Sequence, residues 1–119
     1  MDEIISENLK KSILRKIQNH VGEDAAISSK SLAGWLRTVG FQNVGDLQRV
    51  TREAIRQMRQ SGVPICSRAG KGYFWPANLE EVEATHKYLD TIAKDQLYTA
   101  KQLYQAGIDL FGGQQSLGL

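Results

Sequence analysis

Residues 45–76, GDLQRVTREAIRQMRQSGVPICSRAGKGYFWP, constrain the fold more than any other stretch. In the first half, Leu47, Val50, Ala54, Ile55 and Met58 recur at three- and four-residue spacing, which gathers them on one buried helical face. Arg49, Arg52, Arg56 and Arg59 fall mostly on the other side. Asp46 suits the N-cap, because its carboxylate accepts free backbone N–H groups at the positive end of the helix dipole. Gly62 ends the helix. Residues 63–67 and 73–75 then have the β-branched and aromatic character of two short strands, and Arg68-Ala69-Gly70-Lys71-Gly72 supplies the turn between them. The pattern is a basic recognition helix followed by a hairpin with a small, positively charged tip.

The run Ile55-Arg56-Gln57-Met58-Arg59-Gln60-Ser61-Gly62-Val63-Pro64-Ile65, followed by Gly70-Lys71-Gly72-Tyr73, resembles the signature of winged helix-turn-helix domains. The pattern is similar to the N-terminal DNA-binding domain of biotin-ligase repressors and to small winged-helix proteins of phages and prophages. The phage group is closer, through Pro64-Ile65-Cys66-Ser67, the Gly72-Tyr73-Phe74-Trp75 strand and the acidic helix straight after it. The resemblance is specific over residues 27–75. It departs at residues 39–45, which are longer than the tight turn usual between the second and third helices. It implies a mainly α fold with a small β wing, in which a three-helix core and β-hairpin are followed by a long C-terminal helix. Double-stranded DNA is the partner it implies, in a phage setting.

Charge is distributed accordingly. Net charge is only +2, yet residues 45–75 hold six basic side chains against two acidic ones, and residues 78–119 hold three against six. A basic middle between acidic ends is the asymmetry of a chain that presents one face to phosphate. Docking an arginine-rich helix in the major groove neutralises phosphates and releases counterions. Arginine also matches the two acceptors on a guanine edge.

Arg49, Arg52 and Arg56 are the expected groove-facing residues, with Gln48, Thr51 and Glu53 as readers or positioners. Arg59 is expected to contact a phosphate or pair with an acid inside the protein. Ser28 and Lys30, at the start of the second helix, are placed to donate to the DNA backbone. Arg68 and Lys71 flank glycines that let the hairpin tip approach DNA, or else belong to a plain solvated hairpin.

The rest of the chain reads in order. Residues 3–21 form a first helix, in which Ile5, Leu9, Ile13, Ile17 and Val21 step by four and Ile4 and Leu14 flank the stripe. Its Lys10, Lys11, Arg15 and Lys16 are a solvated face or a supplementary phosphate contact. Residues 25–27 are expected to add a short strand to the wing. Ser28 caps a second helix running to residue 39, with Leu32, Ala33 and Leu36 inward; Trp35 is either core or a stacking platform.

Asn78 and three glutamates open a last helix reaching residue 111. Val82, Thr85, Leu89, Ile92, Gln96, Thr99, Leu103, Ala106 and Leu110 form a heptad seam with polar Gln96 at its centre, and Leu97, Ala100, Tyr104, Ile108 and Phe111 make a second stripe. Homodimerisation through this helix is the expected use, docking on another protein the alternative. Domain bounds are therefore 1–77 for DNA binding, 78–111 for self-association and 112–119 for a flexible tail.

Other classes are disfavoured. No apolar run approaches the ~20 residues of a spanning helix, and the N-terminus is not a signal peptide. The single cysteine, Cys66, suits a reducing cytosol. Neither His20 nor His86 has a metal-ligand neighbour at the right spacing. Ile65 and Gly72 stand where a phosphate-binding loop requires Gly and Ser or Thr. No enzymatic activity, cofactor or small-molecule substrate is expected. A protein interaction module on the same scaffold is the competing function, with RNA or single-strand recognition a third, disfavoured because aromatics are not interleaved with the basic residues.

Overall fold

The computed structural model describes residues 3–112. It is mainly helical, with four α-helices and one two-stranded sheet among the described residues. The chain divides into two compact units, with the boundary between Thr85 and His86.

In the first unit, α1 spans Glu7–Gln18, α2 Ser29–Thr38 and α3 Leu47–Gln60. Strands β1 (Cys66–Arg68) and β2 (Gly72–Phe74) follow, and α4 (Leu79–Phe111) begins in this unit. The caps explain where the helices start. Ser6, Ser28 and Asp46 accept from the backbone N–H of Leu9, Ser31 and Arg49 respectively, satisfying donors that a helix leaves free at its first turn. Asp46 adopts the left-handed conformation, φ 45°, as short polar side chains can.

The first helix is shorter than expected at both ends. Ser6 caps it, so Ile5 reaches the core from the preceding extended segment while Ile4 points to solvent. Asn19 closes it, and Val21 is exposed and bridged to Trp75 instead. Residues 25–27 do not form a strand: Glu23–Ala25 is a 3-10 turn, and Ile27 alone pairs with Tyr73 through two N–H···O bonds of 2.8 Å. The hairpin strands are displaced as well. Residues 62 and 63 donate back to the carbonyls of Arg59 and Met58, which uses them to end α3 and leaves pairing to begin at Cys66.

The core is continuous. Leu9, Ile13 and Ile17 of α1 meet Leu32 and Leu36 of α2 and Leu47, Ile55 and Met58 of α3, with Ile65 added from the strand side. The connection from α2 to α3 covers residues 39–46, and its Phe41 and Val44 pack on the same core. Trp35 does so too, half-buried, with the Lys16 ammonium 5.1 Å from its ring centroid, the geometry of a cation–π contact. Phe74 is fully buried.

The second unit contains the rest of α4. Leu97, Tyr98, Leu103, Leu110 and Phe111 are all exposed on it. Gly112, at φ 56°, donates to the Asp109 carbonyl at the helix end. Residues 113–119 of the expected tail lie outside the described residues.

Candidate nucleic-acid interface

Helix α3 buries Leu47, Val50, Thr51, Ala54, Ile55 and Met58. At 100° per residue, the direction opposite that face belongs to Arg49, Arg52, Glu53, Arg56 and Gln60. The structure therefore gathers the three expected groove-facing arginines on one outward surface.

Their partners differ. Arg49 donates to both carboxylate oxygens of Glu3, at 2.7 and 3.5 Å, and lies 3.5 Å from Asp46. That pairing with Glu3 raises its pKa further. Arg56 donates through Nε to Glu53 at 2.9 Å. Arg56, and then Gln57, hold the Glu53 carboxyl down to about 2. Arg52 is exposed and makes no hydrogen bond or ion pair among the described residues. Gln48 is exposed beside it on the helix.

Thr51 is a correction. It is fully buried, and its hydroxyl donates to the Leu47 carbonyl at 2.7 Å, so it cannot reach a groove. It sits only 40° from Leu47 on the helical projection, inside the apolar face. Arg59 is occupied within the protein by neutral acceptors rather than by an acid. Its Nε donates to the Ile65 carbonyl at 2.7 Å, its Nη2 to the Ser67 hydroxyl at 3.0 Å, and its guanidinium stands 5.9 Å from the Tyr73 ring centroid. Burial lowers its pKa and raises that of Tyr73.

At the hairpin tip, Arg68 Nε is 2.8 Å and Lys71 Nζ 3.0 Å from the carboxylate of Glu23. Lys71 foremost, opposed by some desolvation and helped by Arg68, holds the Glu23 pKa below the usual carboxylate range. Gly72 has φ 114°, and a Cβ there would lie 2.1 Å from the Ile27 carbonyl oxygen, so only glycine permits the Ile27–Tyr73 pairing. Ser28 is spent on capping: its hydroxyl oxygen accepts from Ser31 N–H and donates to Ser31 Oγ. Lys30 is exposed on the first turn of α2.

The acids Glu3 and Glu23 are the residues that sequence reasoning missed. Each meets its arginine or lysine across more than forty residues of chain, a separation at which no local spacing rule operates.

The expected seam residues on α4 divide between the units. Val82 lies in the first unit, half-buried, next to Thr85, whose oxygen accepts from Ser67 N–H at 3.3 Å and whose hydroxyl donates to the Glu81 carbonyl at 3.1 Å. Leu89, Ile92, Gln96, Leu103 and Leu110 lie in the second unit and are exposed there.

Cys66 is buried with its Sγ 3.7 Å from the Glu81 carbonyl, and burial pushes the thiol up, away from nucleophilic character. His20 Nδ1 donates to the Ala25 carbonyl at 2.7 Å and shapes the loop after α1. No helix among the described residues is long and apolar enough to cross a membrane. No family model, curated relative or solved structure matches this chain.

Proposed function

We propose that this chain binds double-stranded DNA as a winged helix-turn-helix protein, with α3 in the major groove and the β1–β2 hairpin as the wing. The observation that carries the reading is the shared outward face of Arg49, Arg52 and Arg56 on a helix whose opposite face is fully committed to the core. Such a face supplies phosphate neutralisation and forked donors for base edges together. Arg52 is its leading contact, because it has no hydrogen bond or ion pair to give up among the described residues. Lys30, Gln48, Arg68 and Lys71 flank it. The resemblance of residues 27–75 to phage and prophage proteins supports a role in regulating transcription or replication there.

Self-association through α4 is part of the same proposal. Leu89, Ile92, Leu103 and Leu110 fall on a frame of alternating three- and four-residue steps that Gln96, Thr99 and Ala106 complete, and all four are solvent-exposed, a seam in want of a partner helix. That exposure also supports the second reading, an interaction module that docks another protein on α4.

Fluorescence anisotropy with a mixed-sequence duplex, titrated in salt, tests the first reading. Wild type is expected to weaken steeply as salt rises, and Arg52→Ala with Arg56→Ala to bind less tightly with a shallower slope. Binding that is absent at low salt, or indifferent to both substitutions, removes the DNA reading and leaves the interaction module.

A further inference from the structure

We propose that Arg68 and Lys71 form a two-cation site for a duplex backbone phosphate, and that the Glu23 carboxylate fills this site in the free protein and leaves it when DNA binds. The inference rests on the DNA reading above and adds to it an internal competitor.

The geometry is that of an anion site already occupied. Glu23 Oε1 lies 2.8 Å from Arg68 Nε and Oε2 lies 3.0 Å from Lys71 Nζ, so one carboxylate bridges both ends of the hairpin turn. The two cations are brought together by the turn itself, where Lys71 N–H donates to the Arg68 carbonyl at 3.0 Å. Glu23 is held in place by its backbone: its N–H donates to Glu81 Oε2 at 2.8 Å, while Glu81 Oε1 accepts from Ala77 N–H at 2.7 Å. The acid is thus anchored independently of the cations it neutralises. Asp24, 3.8 Å from Lys71 and fully exposed at its side chain, adds a weaker pull.

The pair is also exchangeable. Arg68 and Lys71 side chains are about half exposed. Exposed ion pairs contribute little net stability, because water and salt compete for both partners. A phosphate offers the same two cations a more diffuse anion with an array of neighbours behind it, and its binding also releases condensed counterions. Carboxylate and phosphate therefore compete on comparable terms, and the free hairpin tip is electrostatically quiet until a duplex is present.

The experiment compares wild type, E23Q, E23D and Arg68→Ala/Lys71→Ala, the last with and without E23Q, by anisotropy with a mixed-sequence duplex at low salt. E23Q is expected to bind roughly three- to tenfold tighter, the scale of releasing two exposed ion pairs. E23D keeps the charge and shortens the reach, so it gains part of that increase. In the Arg68→Ala/Lys71→Ala background E23Q changes nothing, since there are no cations left to release.

An equal gain in both backgrounds overturns the inference, because Glu23 then acts only as one negative charge near the duplex. E23Q binding like wild type, while Arg52 and Arg56 remain essential, also overturns it and leaves the DNA reading intact. If neither wild type nor E23Q binds duplex, both fall. Circular dichroism melts of each variant confirm that affinities compare folded proteins.

Discussion

The Arg59 guanidinium on α3 donates through Nε to the backbone carbonyl oxygen of Ile65, 2.7 Å away, and through Nη2 to the Ser67 hydroxyl. A basic residue on α3 is thus fastening the hairpin to that helix. Charged donors to buried acceptors stabilise by about 1.5–3 kcal/mol each in favourable cases, and Arg59 is partly exposed, so the lower part of that range applies. Arg59→Ala is expected to destabilise the first unit by about 1–2 kcal/mol in urea unfolding. Arg52→Ala, which removes no such bond, is expected to leave the unfolding midpoint unchanged while weakening duplex binding. Equal midpoints for the two variants contradict the fastening role.

Arg52 and Thr51 separate the two faces of α3. Thr51→Val retains the shape of a fully buried side chain and loses only a hydroxyl bonded within its own helix, to Leu47. Duplex affinity is expected to stay within about twofold of wild type, with a stability change of up to about 1 kcal/mol. Arg52→Ala is expected to lower affinity about tenfold and to reduce the log–log salt slope by ~0.9, the signature of one lost phosphate or groove contact. A large affinity loss in Thr51→Val means that α3 presents a different face.

Much of this fold was legible in the chain because it depends on local rules. The apolar spacing of α3, the caps at Ser28 and Asp46 and the stop at Gly62 each follow from a few neighbouring residues, and each stands in the structure. What was not legible depends on long-range pairing. Ile27 joins Tyr73, Glu23 joins Arg68 and Lys71, and Glu3 joins Arg49, and no periodicity announces any of these. Thr51 was misread for a related reason: a polar side chain at a half-apolar position is assigned outward by residue type, yet its hydroxyl can be satisfied by the carbonyl one turn back. The same bond pattern recurs at Thr85, which the heptad pattern assigns to the seam and the structure buries against β1.

Gly72 tests the third edge of the hairpin. Its φ of 114° is accessible to glycine, and a Cβ would meet the Ile27 carbonyl at 2.1 Å, with Ser28 Cα at 2.7 Å. Both neighbours are backbone and cannot turn aside. Gly72→Ala is expected to cost on the order of 3 kcal/mol, strain and steric overlap together. The Ile27 and Tyr73 amides are expected to lose hydrogen-exchange protection before those of α1 and α2. Gly70→Ala, with open space around it, is expected to cost less. Equal losses at the two positions would refute the close approach.

Glu53 supplies a pH signature. Its carboxyl is held at about 2, from an ordinary 4.5, first by Arg56 and then by Gln57. A depressed carboxylate contributes stability that is complete above its unfolded pKa and is lost as pH falls through its folded pKa. The contribution is therefore full above about pH 4.5 and disappears towards pH 2. E53Q is expected to lie below wild type in melting temperature at pH 6, with the difference narrowing continuously as pH is lowered through this window. A gap that stays constant down to pH 2 contradicts the Arg56 pairing.

The exposed face of α4 gives the last prediction. Leu103 and Leu110 are 74% and 78% exposed, and they sit seven residues apart, at equivalent heptad positions with Leu89 and Gln96. Lys87, Lys94 and Lys101 repeat at the same interval on another face, with Lys94 paired to Asp90 at 2.8 Å. A helix with apolar and basic stripes of one common period has the pattern of a two-stranded seam with a solvated back. Sedimentation equilibrium is expected to show wild type in reversible association. Leu103→Asp is expected to weaken that association at least roughly tenfold, because it places a carboxylate within the apolar layer. Lys94→Ala, on the solvated back, is expected to leave it unchanged. Wild type that stays monomeric at every concentration removes the seam and turns α4 into a surface for a different protein, whose binding the same Leu103→Asp substitution then reports.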